Sequence, residues 1–184
     1  MKRNPSRVRR LALFAAITAL APGFASASAE AGDATVQATW VRQDLEFTYM
    51  PLTAIYTCYG FRDKMRWILE QLGARDLKVT PSGCTKIPKP EPFPGVKIVG
   101  AFPAAAAPGT ADTFAARPRL VEFRPNQIEG VQDGDCELMT QVRDKLFPKL
   151  GVKVVRDELT CIPKRVTPES VRITVEVLEP VANP

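Results

Sequence analysis

The residues that could do chemistry in this chain are few, and one type is missing: there is no His. That absence removes Ser-His-Asp and Cys-His nucleophiles, His-ligated zinc and imidazole acid/base catalysis together. What remains is four Cys, a short acidic run and a cluster of aromatics. The Cys stand at positions 58, 84, 136 and 161. Cys58 and Cys136 each head a predicted helix, a place that stabilises a thiolate. No Cys-x-x-Cys spacing is present, however, so structural bonds are the expectation and thiol-disulfide exchange the weaker alternative.

The acidic run is Asp133-Gly134-Asp135-Cys136-Glu137, with Glu129 close by. It lacks the oxygen-ligand spacing of an EF-hand loop, and no metal site is expected. Asp135 reads as the N-cap of the helix starting at Cys136, with acidic charge favourable at that end. As enzyme residues, Asp133, Asp135 or Glu137 would be the acid or base of a carboxylate-dependent envelope hydrolase, a reading that needs two carboxylates across a cleft. The aromatics Tyr49, Tyr56, Tyr59, Phe61 and Trp67 crowd the start of the first helix. Phe61 falls on that helix's apolar stripe. Tyr56, Tyr59, Arg66 and Trp67 form the candidate binding surface, because exposed aromatics beside Arg are frequent at protein contacts. The favoured reading assigns no catalytic residue and no cofactor.

The elements that must position these groups are written twice. Cys58 is followed fourteen residues later by Leu72-Gly73, and Cys136 at the same spacing by Leu150-Gly151. A β-type run and a second Cys follow, eleven residues after the glycine in the first copy and ten in the second. A fourteen-residue helix rises about 21 Å. A strand of six or seven residues returns nearly that distance at about 3.3 Å per residue. Of the three possible pairings, this geometry favours Cys58 with Cys84 and Cys136 with Cys161.

Helical periodicity places Phe61, Met65, Ile68, Leu69 and Leu72 on one stripe, and Met139, Val142, Leu146 and Leu150 on the other. Thr57 is a plausible cap for the first helix, and Pro148 should bend the last turn of the second or make it irregular. Strand-like runs flank each helix. In 35–49 the apolar parity changes across Arg42-Gln43-Asp44, which predicts a bulge or a turn. VKIVGAF from Val96, LVEF at 120–123 and VRITVEV at 171–177 supply further strands, the last alternating as a sheet with one wet face does. The prolines from 88 to 94 mark a stiff connection. The expected fold is α+β: two βαββ repeats, pseudo-twofold, forming a mostly antiparallel sheet with two helices on one face and one disulfide per repeat. The expected divisions are 1–29 as a signal peptide, 30–104 as the first repeat, 105–116 as an Ala/Pro-rich linker and 117–184 as the second repeat. One compact domain is the primary expectation, two small domains the alternative.

Compartment and partners follow from the first 29 residues. Lys2, Arg3, Arg7, Arg9 and Arg10 precede an apolar run too short to span a bilayer, and small residues follow. This is the pattern of a secretory leader, and Arg9-Arg10 leaves the twin-arginine route open beside the general one. The whole chain has 25 basic and 20 acidic residues, but five basic residues and no acidic one precede Glu30, so the remainder has twenty of each. A nucleic-acid partner is not expected of a neutral chain. The expectation is a periplasmic or secreted, non-enzymatic protein without a transmembrane segment once the leader is removed, binding an envelope protein or a small ligand. The residues match no family motif.

Overall fold

The long first strand departs from its sequence pattern in an informative way. Val36–Thr48 (β1) is one unbroken strand of 13 residues, and its register with a later strand is constant from Ala38↔Ala105 to Thr48↔Gly95. No bulge or turn interrupts it at Arg42–Asp44. The change of parity has another cause. Phe47 faces the helices, whereas Ala38 and Trp40 lie on the opposite face of the sheet, as strand alternation requires. There the Trp40 ring stacks on Phe114 with centroids 5.0 Å apart, and the Arg75 guanidinium lies 4.6 Å from the Trp40 centroid. One strand thus serves an apolar environment on each face in turn.

The structure, a computed structural model, describes residues 35–52, 54–85, 89–125, 130–161 and 171–181, all within one compact unit, Asp33–Pro184. The expected leader lies outside them. After β1 come Tyr56–Thr57 (β2), the helix Cys58–Gln71 (α1), Arg75–Ser82 (β3), Pro90–Glu91 (β4), Gly95–Ala105 (β5) and Phe114–Phe123 (β6). A 3₁₀ turn at Asp133–Asp135 leads into Cys136–Gln141 (α2), a π turn at Val142–Leu146 and Phe147–Leu150 (α3). Lys153–Asp157 (β7) and Ile173–Pro180 (β8) complete the chain. Six strands form one antiparallel sheet in the order β3-β5-β1-β6-β8-β7, while β2 and β4 pair as a small ribbon. The stiff proline connection therefore contributes a ladder of its own, at the edge of the first helix.

The central seam is narrow. β1 and β6 share only Val36↔Ala116, Gln37↔Ala115 and Ala38↔Phe114. Two flanking bonds close it, from Ala106 N–H to Gln37 O and from Val181 N–H to Ala115 O, each 2.9 Å. The expected linker is shorter than 105–116, because β5 runs to Ala105 and β6 starts at Phe114. Pro103 and Pro118 did not prevent these strands. Each lies where its strand has a neighbour on one side only, so the missing N–H can face away from the ladder.

Each helix is built by local chemistry. The Thr57 hydroxyl accepts the Gly60 N–H at 3.1 Å and caps α1. Phe61, Met65, Ile68, Leu69 and Leu72 are buried, the stripe expected from their spacing. Gly73 then takes a φ of 82°, with Gly73 N–H bonded to Glu70 O and Ala74 N–H to Leu69 O. This paired closure needs the left-handed conformation that glycine adopts without a Cβ penalty. Gly151, at φ 67°, repeats it with Gly151 N–H to Pro148 O and Val152 N–H to Phe147 O. The second helix is not continuous. Pro148 lacks a donor and crowds the carbonyl four residues back, and the chain widens into the π turn just before it, with Phe147 N–H on Val142 O.

One face of the sheet and both helices enclose a single apolar core, which joins Phe61, Met65 and Ile68 to Phe123, Phe147 and Val175. Disulfides join Cys58 to Cys84 and Cys136 to Cys161, with Cα atoms 6.1 and 5.6 Å apart, at the N-terminal ends of α1 and α2. Closing loops of 26 and 25 residues adds about 3.5 kcal/mol each on the chain-entropy account. Two such bonds suit an oxidising compartment outside the cytoplasm. Among the described residues no helix is long and apolar enough to cross a membrane.

Candidate functional site

The acidic run of the second half and the aromatic cluster of the first face one another. Asp135 is only 3% exposed and does not cap α2, since no α2 N–H reaches its side chain. Its carboxylate instead accepts Gln132 N–H at 2.7 Å, the Tyr56 hydroxyl and the Lys64 ammonium. The physical reason is desolvation: a buried carboxylate is tolerated only with a cation and hydrogen bonds around it, and a solvent-facing cap would have needed neither. Lys64 projects from α1, is nearly as buried as its partner, and also donates to Gly130 O at 3.2 Å. Its Nζ lies 5.9 Å from the Tyr56 ring centroid.

A second set of bonds runs beside this pair. Tyr49 OH donates to Glu137 Oε2 at 3.2 Å, and Leu52 N–H reaches the same oxygen at 3.0 Å. Gln141 holds the Met50 backbone on both sides, accepting its N–H at 3.1 Å and donating to its carbonyl at 2.7 Å. The loop after β1 is thereby fixed to α2, while Met50, Leu52 and Ile55 stay exposed. Burial, then the neighbouring Asp135 charge, pushes the Tyr56 hydroxyl well above the ordinary phenol range. Burial, then Glu137, does the same to Tyr49. Both therefore stay protonated at any ordinary pH and donate to the neighbouring carboxylates. Asp135 and Glu137 both accept hydrogen bonds within the protein, Asp135 buried and Glu137 half-buried.

The four expected surface residues separate. Tyr56 belongs to the interior network, its ring edge-on to Tyr49 at 5.4 Å and tilted against Phe61 at 5.8 Å. Tyr59 is 45% exposed, with the Arg62 guanidinium 4.9 Å from its ring centroid. Trp67 is half-buried and meets Phe123 edge-on at 5.9 Å, so part of its ring is structural. Arg66 and Trp67 lie together in a groove of about 420 Å³ between α1 and the segment carrying Gly130 and Gln132. Asp63, Lys64 and Glu70 complete the helical wall. Glu129 lies outside the described residues, and so does the side chain of Asp133.

Sequence reasoning missed Lys64 and Gln141, two of the side chains that tie the halves together. Lys64 sits on the flank of the α1 stripe, three residues after Phe61, where a lysine ordinarily reaches water. No local spacing links position 64 to position 135. A second depression, about 260 Å³ and largely apolar, lies under the two Leu-Gly turns between Leu72, Phe102, Leu150 and Val177. Among the described residues no group of three or more Cys, Asp or Glu side chains could hold a metal ion. Compared with known proteins, the chain matches no family model, no curated protein and no solved structure.

Proposed function

We propose that the chain is an exported, non-enzymatic protein of the periplasm or the extracellular space, whose first half binds an envelope protein or small ligand. The observation that carries this reading is the asymmetry across the junction. On the first half, Arg66, Trp67 and neighbouring charges line an open groove, with Tyr59 exposed nearby. On the second half, two of the three carboxylates that a hydrolase would use, Asp135 and Glu137, accept bonds from Tyr56, Lys64, Tyr49 and Leu52. All four Cys are in disulfides, which leaves no thiol for exchange. The exposed Met50, Leu52 and Ile55, on a loop held firm by Gln141 and Glu137, add apolar area suited to a protein contact.

The same proposal includes duplication: two βαββ units, 30–104 and 117–184, related by a pseudo-twofold axis through the central seam. In its favour, the order β3-β5-β1 on one side is mirrored by β7-β8-β6 on the other. The paired seam bonds and the paired Leu-Gly closures also correspond. A duplicated scaffold needs no difference between its copies, so the surface where they differ is the better place to look for function.

The test is affinity capture from the exported fraction, with binding compared between the wild type and Tyr59→Ala/Arg66→Ala. These side chains are exposed or half-buried, so the variant should keep its melting temperature. The reading expects the captured partner to be lost with that variant and kept with a matched pair of surface changes on β7. Retention by Tyr59→Ala/Arg66→Ala would refute it.

A further inference from the structure

The groove beside α1 contains a cation and an anion that the protein itself leaves unused. Lys64 is committed to Asp135 and Gly130, and Asp63 to Arg62. Among the described residues, the side chains of Arg66 and Glu70 have no ion-pair or hydrogen-bond partner. They stand four residues apart on one helix, close enough in principle to bond each other. The order opposes it, because an acidic residue N-terminal to the basic one is the favourable arrangement and here the order is reversed. One helical turn of about 6 Å separates their positions along the axis. Between them Trp67 presents the part of its ring not packed on Phe123. Gly60 and Gly130 keep the two walls free of side chains at their ends.

A ligand matched to this wall carries an anion and a cation a few ångströms apart and some apolar surface between. A dipeptide with free termini has that form, since two extended residues span roughly 7 Å. The volume of about 420 Å³ lies within the usual range for a small-molecule site. We propose that the groove binds a short peptide with both termini free, its carboxylate held by Arg66, its ammonium by Glu70 and a side chain against Trp67. This rests on the binding role given to the first half and names the chemical class that the site takes. The Arg66 guanidinium offers the carboxylate two parallel donors, which a lysine in its place would not.

The test uses the full exported chain and the dipeptide Ala-Phe, its N-acetylated form, its C-amidated form and the doubly capped peptide, followed by amide and indole shifts in the NMR spectrum. Free Ala-Phe should move the Gly60, Trp67 and Gly130 signals saturably, and capping either end should weaken binding roughly tenfold, the worth of one charge-assisted bond. Arg66→Gln should abolish the sensitivity to amidation alone, and Glu70→Gln the sensitivity to acetylation alone. Both are surface changes, and an unchanged dispersed spectrum confirms their folding. Equal binding of free and doubly capped peptide would overturn the proposal and leave groove binding intact. No groove shift at millimolar peptide, with partner capture still dependent on Tyr59 and Arg66, would overturn the ligand class alone. Loss of both results would overturn this inference and the binding role together.

Discussion

The two halves of this protein solve one problem by different means, and the comparison shows which features the fold needs. Each has a strand, a helix closed by a Leu-Gly turn and a disulfide at the helix start. The first helix runs without interruption, whereas the second is broken by a π turn. Counted back seven residues from Leu72 and Leu150, the counterpart of buried Met65 is Arg143. Arg143, however, turns outward to Asp144 and Asp157, and Val142, one residue earlier, is buried instead. The extra residue of a π turn accounts for that slip. Core packing and closure are thus shared, while aromatic and acidic groups at the helix starts differ and meet across the junction. What differs holds the halves to each other or faces solvent.

The largest expected effect comes from the contact that only one member of each half supplies. Lys64→Met leaves Asp135 buried without its cation and should cost about 3 to 5 kcal/mol in urea unfolding, whereas Lys64→Met/Asp135→Leu should recover most of that loss. If the single change costs less than about 1 kcal/mol, the pair is not the tie between halves that its burial implies. Next come the staples. Replacing Cys58 and Cys84 by Ala, or Cys136 and Cys161, should each cost about 3.5 kcal/mol, because the closed loops are nearly equal. A large inequality between the two would mean that one half retains structure when unfolded and the other does not.

The junction tyrosines give a pH signature of their own. Their folded values are raised, so the folded state holds their protons more tightly than the unfolded chain does. Their contribution is fully present below about pH 10, the ordinary phenol value, and is lost as pH rises through the folded value. Stability should fall above about pH 10 by about 1.4 kcal/mol per pH unit for each of the two groups. Tyr49→Phe/Tyr56→Phe should flatten that slope, and an unchanged slope would place the alkaline transition elsewhere. The smallest effect is expected of Pro148→Ala. If the packing phase of Val142 sets the π turn, restoring a backbone donor changes stability by under about 1 kcal/mol. A gain near 3 kcal/mol would show that the proline alone imposes it.

Much of this architecture was legible because it is local. The apolar spacing of α1, the Thr57 cap, the glycine closures and the irregularity before Pro148 follow from rules that act within a few residues. The Cys pairing followed from matching a helix's rise to a strand's return. What could not be read was long-range. The side chain of Asp135 has two competing uses, capping α2 or facing Lys64, and only the burial created when the halves pack decides between them. The parity of β1 misled for a related reason, since a strand covered on both faces need not keep its apolar residues on one. Of the candidate surface, Tyr59 and Arg66 are accessible as their types suggest, but Tyr56 is drawn inward by a carboxylate 79 residues away.

The central claim is that function resides where the halves differ, on the accessible part of the first. Photo-crosslinking of the full chain in the cell, with the crosslinked peptides mapped by mass spectrometry, tests it most directly. The account predicts crosslinks within 59–70 and at 130–132, with few on the corresponding outer surface of the second half, 143–157. Crosslinks concentrated on 143–157, or shared equally between the two surfaces, would contradict it.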